Sequence, residues 1–264
     1  ADAAPCKGKI AFTSDRTGNN EIFVMNEDGT DIVNLTNSAS SDIDPVWSPD
    51  GNWIAFRSNR SGLGQYYVMD ATGGQVVKIS DCGNRVDGIT WRYDSAYLAY
   101  QCQPTLSYES DIWTVLRTGA LPKNVTLNIN GAAAAPSFSP DGGWIAFERL
   151  PAPADPNYPN YDIYKMTLSG ASLTRLTTDA LRDRTPHWSP DGSKITYAAK
   201  EDTTSPYTYP NLYTMKTDGT APQQIYAPDL DLNVGGIWSP DGKHLVTVAR
   251  SAVSVVVAMG ADGS

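Results

Sequence analysis

Histidine and cysteine, the residue types best suited to acid–base, metal or redox chemistry, are scarce in this chain of 264 residues. Its two histidines, His187 and His244, stand far apart, and none of its three cysteines forms a C-x-x-C pair, so no zinc site is indicated. The phosphate-binding loop, the nucleophile elbow and the H-E-x-x-H motif do not occur. The sequence therefore gives no positive sign of a catalytic centre, although a Ser-His-Asp set drawn from distant positions would leave no local motif.

A second group of candidate residues suits binding rather than bond cleavage. Two long loops, residues 148–162 and 198–211, are rich in proline and tyrosine. Tyrosine presents a large apolar face and a hydroxyl at little entropic cost, which is typical of binding surfaces. The alternative is that these loops only pack over the edge of a sheet, and that His187 is an ordinary strand residue. The predicted binding residues are Tyr108, Tyr158, Tyr161, Arg182, Arg184, His187, Tyr207 and Tyr209.

Oxygen-bearing side chains alternate at Asp229, Asp231 and Asn233. Calcium prefers oxygen ligands of this kind, but the segment lacks the glycine and the final glutamate of an EF-hand loop. These residues are weak candidates for a bound calcium ion, and no other cofactor is predicted.

An aromatic residue followed by Ser-Pro-Asp-Gly, or by a degraded copy of it, recurs along the chain. Successive copies lie 44, 47, 50 and 50 residues apart, and a fixed period of that size indicates a repeat architecture. Proline and glycine in this order predict a tight turn between strands. We therefore interpret the aspartates of these turns as structural. The aromatic anchors are Trp47, Trp91, Phe138, Trp188 and Trp238.

Each repeat contains short runs rich in Val, Ile, Tyr and Trp, separated by turn residues, and this pattern predicts about four β-strands per repeat. All five methionines occupy one repeat position, at the end of the third predicted strand. We expect them to fill gaps between neighbouring sheets rather than to bind a metal, because a radial array would spread them around a ring. They are Met25, Met69, Met166, Met215 and Met259.

Four-stranded units of this length, repeated around an axis, form a β-propeller. We predict an all-β fold in one domain, residues 1–264: a six-bladed β-propeller of four-stranded antiparallel blades, with five or seven blades as alternatives. The first unit lacks a clear opening strand and the last lacks its fourth strand, so either the two ends share a blade or the chain continues past Ser264. The predicted repeats are about 1–40, 41–83, 84–130, 131–180, 181–229 and 230–264.

Charge and hydropathy exclude several classes of partner. The net charge is −9, the calculated pI is about 4.6 and no basic run occurs, so nucleic-acid binding is not expected. No stretch approaches the length of apolar sequence that a membrane span requires.

Two of the cysteines fall on the same face of one predicted blade. Cys82 lies between two repeats, and Cys102 ends the second strand of the repeat that follows. A Cys82–Cys102 disulfide is geometrically reasonable and would favour an oxidising compartment. The alternative is two unrelated reduced thiols.

Several motifs resemble the WD-like repeat of the TolB-like propeller family. They are Pro-x-Trp-Ser-Pro-Asp-Gly followed by Ile-Ala-Phe, Ser-Asp-Arg-x-Gly, Glu-Ile-Phe-Val-Met and Asn-Leu-Thr, best preserved in residues 44–56 and 9–36. The resemblance covers nearly the whole chain. It implies a platform for protein binding, as TolB binds the peptidoglycan-associated lipoprotein. Similar propellers also cap prolyl-oligopeptidase-like enzymes or act as oligogalacturonate lyases.

We therefore expect a non-catalytic module of a periplasmic or extracellular protein, binding a protein, a peptide or an acidic glycan through the face with the long Tyr/Pro loops. One alternative is a polysaccharide-active or peptidase-associated enzyme fragment. Another is a structural subunit of an extracellular assembly that associates with itself.

Overall fold

A computed structural model describes residues 8–106, 109–151, 160–179, 182–200, 211–226, 231–232, 236–250 and 254–261. In this part of the chain every regular element is a β-strand, and the strands form six small antiparallel sheets. The predicted all-β, six-bladed class is confirmed, and the sheets are numbered blades 1 to 6 in chain order. No helix in the described part is long and apolar enough to cross a membrane.

The first three blades contain eleven strands. Blade 1 contains β1 (Lys9–Ser14), β2 (Glu21–Asn26) and β3 (Val33–Asn34). Blade 2 contains β4 (Asp42–Trp47), β5 (Trp53–Ser61), β6 (Leu63–Asp70) and β7 (Val77–Lys78). Blade 3 contains β8 (Arg85–Trp91), β9 (Tyr97–Gln103), β10 (Asp111–Leu116) and β11 (Lys123–Asn124).

The last three blades continue the same order. Blade 4 contains β12 (Gly131–Phe138), β13 (Trp144–Pro151), β14 (Asp162–Thr167) and β15 (Thr174–Arg175). Blade 5 contains β16 (Arg182–Trp188), β17 (Lys194–Lys200), β18 (Asn211–Lys216) and β19 (Gln223–Tyr226). Blade 6 contains β20 (Asp231–Leu232), β21 (Ile237–Trp238), β22 (His244–Arg250) and β23 (Ser254–Gly260).

Consecutive strands pair as neighbours in blades 1 to 5, so each of these blades is a meander. In blade 6, β20 and β21 pair with successive parts of β22, which also pairs with β23. By packing, the chain divides into two compact units, residues 1–109 with 113–124, and residues 110–112 with 125–264.

The Ser-Pro-Asp-Gly turns join the first and second strands of their blades. In blade 2 the Ser48 hydroxyl donates to Asp50 over 2.6 Å, and the same Asp50 oxygen accepts the Asn52 N–H over 3.0 Å. Gly51 takes a φ of 71°, a region that side chains with a Cβ rarely adopt. The aspartate oxygen thus ties the turn together, as equivalent bonds do in blades 4, 5 and 6.

The methionines share one register, because each pairs with an aliphatic residue of the neighbouring second strand. Met69 lies opposite Ile54, and both are fully buried. Met166 and Met215 are buried in the same way. Met25 differs from the expectation of uniform core packing, since it is only half-buried and pairs with Ile10, which is 41% exposed.

Candidate functional site

Four of the eight residues predicted to bind a partner lie in the described part of blades 4 and 5, and they are Tyr161, Arg182, Arg184 and His187. Three of them, Tyr161, Arg182 and Arg184, come together within the described part of the second unit. We call these three residues the Arg–Tyr surface. The predicted residues that lie outside the described part are Tyr108, Tyr158, Tyr207 and Tyr209.

A backbone hydrogen bond places the two blades in register at this surface. The Asp183 N–H donates to the Tyr161 carbonyl over 2.8 Å, which holds the end of the blade 4 loop against β16. Because residues 182 and 184 point to the same side of a strand, both arginines reach the Tyr161 ring. The guanidinium carbons lie 5.5 Å (Arg182) and 4.8 Å (Arg184) from the ring centroid, within the range of cation–π attraction.

Glu148 of β13 is buried and pairs with Arg184 of this surface, although it was not among the residues predicted from the sequence. Its carboxylate is 2% exposed and accepts from Arg184 Nη2 over 2.9 Å and from the Thr185 N–H over 2.9 Å. Burial works against the charged form of Arg184, but pairing with Glu148 outweighs burial and raises its pKa. The available signal was an acidic residue directly after the Ile-Ala-Phe run, where blade 2 has Arg57.

Arg182 has no comparable partner. It forms no ion pair with any described residue, and its Nε is buried without a hydrogen-bond acceptor. Loss of hydration, followed by repulsion from Arg184, lowers the pKa of its guanidinium. Since Glu148 balances Arg184, Arg182 is the side chain of the Arg–Tyr surface whose positive charge has no ion-pair partner among the described residues, in a protein whose net charge is −9.

A β-bulge in β16 directs the Thr185 N–H toward Glu148. The register of β16 against β17 shifts between Arg184 and His187, and Thr185 adopts a φ of 50°. This left-handed conformation is unusual for a β-branched residue. Asp44, Gly88 and Ala135 take the same conformation at the equivalent place in their blades, so the bulge belongs to the repeat.

Asp183 points to the opposite side of β16 and is completely buried. Neither carboxylate oxygen has a hydrogen bond of ordinary geometry, although the Thr177 hydroxyl lies near enough to favour the ionised form. Burial, reinforced by the negative charges of Asp179 and Asp162, raises the pKa of Asp183 to about 7. The carboxyl therefore titrates near neutral pH. Burial also raises the pKa of Asp162 despite its ion pair with Arg175.

His187 is half-buried in β16, beyond the bulge. Loss of hydration lowers the pKa of its imidazole to about 4, so the ring is neutral at physiological pH. Its backbone carbonyl accepts from Trp238 Nε1 over 3.3 Å, which links blade 5 to blade 6. His187 therefore contributes packing and backbone hydrogen bonding, and its role in binding stays a prediction.

The described residues contain no group of three or more His, Cys, Asp or Glu side chains arranged to hold a metal ion. The predicted calcium ligands Asp229 and Asn233 lie outside the described residues. For Asp231 only the backbone, in β20, is described.

A disulfide joins Cys82 to Cys102 in the first unit, with a Cα–Cα distance of 5.7 Å. Both cysteines are buried, and they pack in the core of blades 2 and 3 with Tyr66 and Tyr100. The Gln65 amide donates to the Cys82 carbonyl over 2.7 Å and fixes the backbone beside the bond.

The sequence and the fold were compared with known proteins. A family model described as the TolB beta propeller domain matches residues 3–111 and 90–264. A protein TolB homolog of Chlorobaculum tepidum is 48% identical over 46 residues, which are 17% of this chain and 11% of that protein. The Tol-Pal system protein TolB of Geobacter sulfurreducens is 42% identical over 50 residues, which are 19% of this chain and 12% of that protein. The matched segments thus span only a small part of these relatives.

Solved structures show the same fold over almost the entire chain. TolB from Acinetobacter baumannii superposes with a TM-score of 0.72 at 19% identity, covering 97% of this chain and 62% of that chain. A putative TolB from Agrobacterium tumefaciens superposes with a TM-score of 0.71 at 21% identity, covering 96% of this chain and 87% of that chain. Because the family model matches the sequence from residue 3 to residue 264, this chain belongs to the TolB beta propeller domain family.

Proposed function

We propose that this chain is a non-catalytic binding module of a periplasmic or secreted protein, and that it contacts a protein or peptide partner through the Arg–Tyr surface. The observation that carries the proposal is the charge of Arg182, which has no ion-pair partner among the described residues and is held against the Tyr161 ring 5.5 Å away. An arginine fixed on an aromatic ring is a typical anchor at protein interfaces. Its planar guanidinium can bind a carboxylate by donating two parallel hydrogen bonds to its oxygens.

The arrangement supports recognition rather than catalysis. Glu148 pairs with Arg184, the Tyr161 ring contacts both guanidinium groups, and His187 is neutral. These groups supply an aromatic ring and a guanidinium that pairs with no described carboxylate, which suit an acidic side chain or a carboxyl terminus on the partner. An acidic glycan carries the same carboxylate and is the second kind of ligand that this surface would accept.

The comparisons favour a protein partner and a periplasmic location. Two similar proteins are named as members of a Tol-Pal system, a name that places them among interacting proteins. The Cys82–Cys102 disulfide fits an oxidising compartment such as the periplasm. An oligogalacturonate lyase from Vibrio parahaemolyticus also has this fold, with a TM-score of 0.63, but its 14% identity shows likeness of fold alone.

Affinity capture from a periplasmic extract of the source organism tests the proposal. The bait is the wild-type chain, Arg182→Glu or Tyr161→Ala, and Lys243→Glu is the control because it makes the same charge change on an exposed residue beside the Ser239–Gly242 turn. Proteins retained by the wild type and by Lys243→Glu should be lost with Arg182→Glu and weakened about tenfold or more with Tyr161→Ala.

Equal recovery of the same proteins with all four baits would place the binding site elsewhere. Thermal unfolding of each bait must first show a folded protein, so that lost binding reports on the surface. Turnover of oligogalacturonate or of a prolyl peptide by the purified wild type would contradict the non-catalytic assignment.

A further inference from the structure

A cleft of about 540 Å³ opens in the second unit, at the end of blades 4 and 5 that carries the Ser-Pro-Asp-Gly turns. The volume lies within the range of about 300–1,000 Å³ typical of small-molecule sites. The cleft is separate from the Arg–Tyr surface, with which it shares no residue. Its lining residues include Asp141, Trp144, Lys165, Trp188, Asp191 and Thr217.

Two indole rings form the apolar part of the cleft. Trp144 begins β13 and Trp188 ends β16, and both side chains are half-buried. The Lys165 ammonium lies 4.9 Å from the Trp144 ring centroid and donates to the Thr217 carbonyl over 2.6 Å. These two contacts hold Trp144 and Lys165 in place without a ligand, so the site is preorganised.

Two carboxylates lie at the cleft, one in each turn. Hydrogen bonds from the Ser139 hydroxyl and the Gly143 N–H lower the pKa of Asp141, and a bond from Ser189 lowers that of Asp191. Both groups are therefore ionised at neutral pH. The turn contacts of Asp141 engage Oδ1 and leave its second carboxylate oxygen as an acceptor. Because the turn fixes the side chain, little conformational entropy would be lost on binding.

We propose that this cleft binds a neutral oligosaccharide, with a pyranose ring packed against an indole and its hydroxyls bonded to Asp141 and Lys165. The combination of groups selects the class of ligand. A carboxylate only accepts hydrogen bonds and an ammonium only donates them, so the ligand must do both. A hydroxyl does both, whereas an anion would be repelled by the two carboxylates. An external cation would meet Lys165, which already occupies the position over the Trp144 ring.

Three trisaccharides serve as probes: cellotriose, maltotriose and tri-N-acetylchitotriose. Each is titrated into the wild-type chain to about 10 mM, with tryptophan fluorescence and saturation-transfer NMR as readouts. We expect at least one of them to bind with a dissociation constant of about 1 mM or below. Trp144→Ala should weaken that binding about tenfold or more, because it removes one of the two indoles of the cleft and the ring that holds Lys165 in place.

Trp53→Ala is the matched control. Trp53 occupies the same repeat position in blade 2, where the Arg117 guanidinium lies 4.8 Å from its ring, and it is not part of the cleft. Sugar affinity should stay within about twofold of the wild type in this variant. If Trp144→Ala fails to fold, Asp141→Asn replaces it, since an amide keeps the Oδ1 acceptor of the turn and loses the second carboxylate oxygen.

The experiment can overturn the proposal in three ways. The proposal is wrong if none of the three sugars binds, or if the substitution in the cleft leaves the sugar affinity unchanged. It is also wrong if trilysine displaces the sugar and binds more tightly. The last result would assign the cleft to cationic peptides. Loss of partner capture at the Arg–Tyr surface has no bearing on these outcomes, because Trp144 and Asp141 lie outside that surface.

Discussion

Arg184 of blade 5 donates from Nη2 to Oε1 of Glu148 in blade 4 over 2.9 Å, and Glu148 is 2% exposed while Arg184 is 46% exposed. One partner is thus buried and the other reaches solvent. The two ends of such a pair respond differently to removal. A freed arginine can turn toward water, whereas a freed buried carboxylate cannot.

Arg184→Ala should therefore lower the free energy of unfolding by about 1–3 kcal/mol. This is less than the loss for a fully buried pair, because Arg184 is partly solvated. The control is Arg85→Ala, since the ion pair of Arg85 with Asp87 is exposed on both sides, at 62% and 40%. The control should cost under about 1 kcal/mol. Urea unfolding at one pH measures both variants, and equal losses would show that the burial of Glu148 has no energetic consequence.

Truncating the buried methionines should cost far more than truncating a surface residue. Met69→Ala and Met166→Ala each remove a side chain with no exposed surface, and a loss of about 2–5 kcal/mol is expected for each. Met25→Ala should cost about half as much, because Met25 is only half-buried. Denaturant unfolding provides the comparison. Losses under about 0.5 kcal/mol at Met69 and Met166 would contradict the repeat register.

Asp183 should make stability depend on pH near neutrality. Its pKa is raised from 3.8 in the unfolded chain to about 7 in the fold, so folding favours the protonated form. The stabilisation is fully present below pH 3.8 and is lost as pH rises to 7. Asp183→Asn imitates the protonated form. Its free energy of unfolding, relative to that of the wild type, should therefore rise by about 2–4 kcal/mol between pH 4 and pH 8.

The measurement is a pair of urea unfolding curves for Asp183→Asn and for the wild type at each pH. Groups that titrate equally in both proteins cancel in the difference. His187 acts in the opposite sense, because its depressed pKa removes stability as pH falls from 6.5 toward 4. A constant difference between the two proteins across this range would rule out the buried, near-neutral carboxyl.

The Cys82–Cys102 disulfide should contribute to stability by reducing the conformational entropy of the unfolded chain. Its partners are 20 residues apart, and closing a loop of that size stabilises a protein by about 3 kcal/mol. Thiol labelling of the denatured, unreduced protein should modify one cysteine, Cys6, and labelling after reduction should modify all three. Modification of three cysteines without reduction would show that the bond does not form.

Much of the fold was readable in the sequence because its determinants are local. The Ser-Pro-Asp-Gly turns depend on the fixed φ of proline, the left-handed freedom of glycine and one Ser–Asp hydrogen bond within the turn. Short apolar runs between such turns can form only strands, and their period implied six sheets. The register of Trp47 with Ile54 follows from the turn between them, since turn length determines which residues face each other.

The tertiary structure decided which charged side chains form ion pairs and which are buried. Glu148 and Arg184 are 36 residues apart, and nothing local to either predicts that one is buried beneath the other. Arg182, Asp183 and Arg184 are neighbours in sequence, yet the alternation of a strand sends Asp183 into the interior and both arginines to Tyr161. Packing between sheets sets the dielectric surroundings of each group. The sequence by itself therefore determined the architecture, while the contacts between blades decided which side chains come together and which charges are buried.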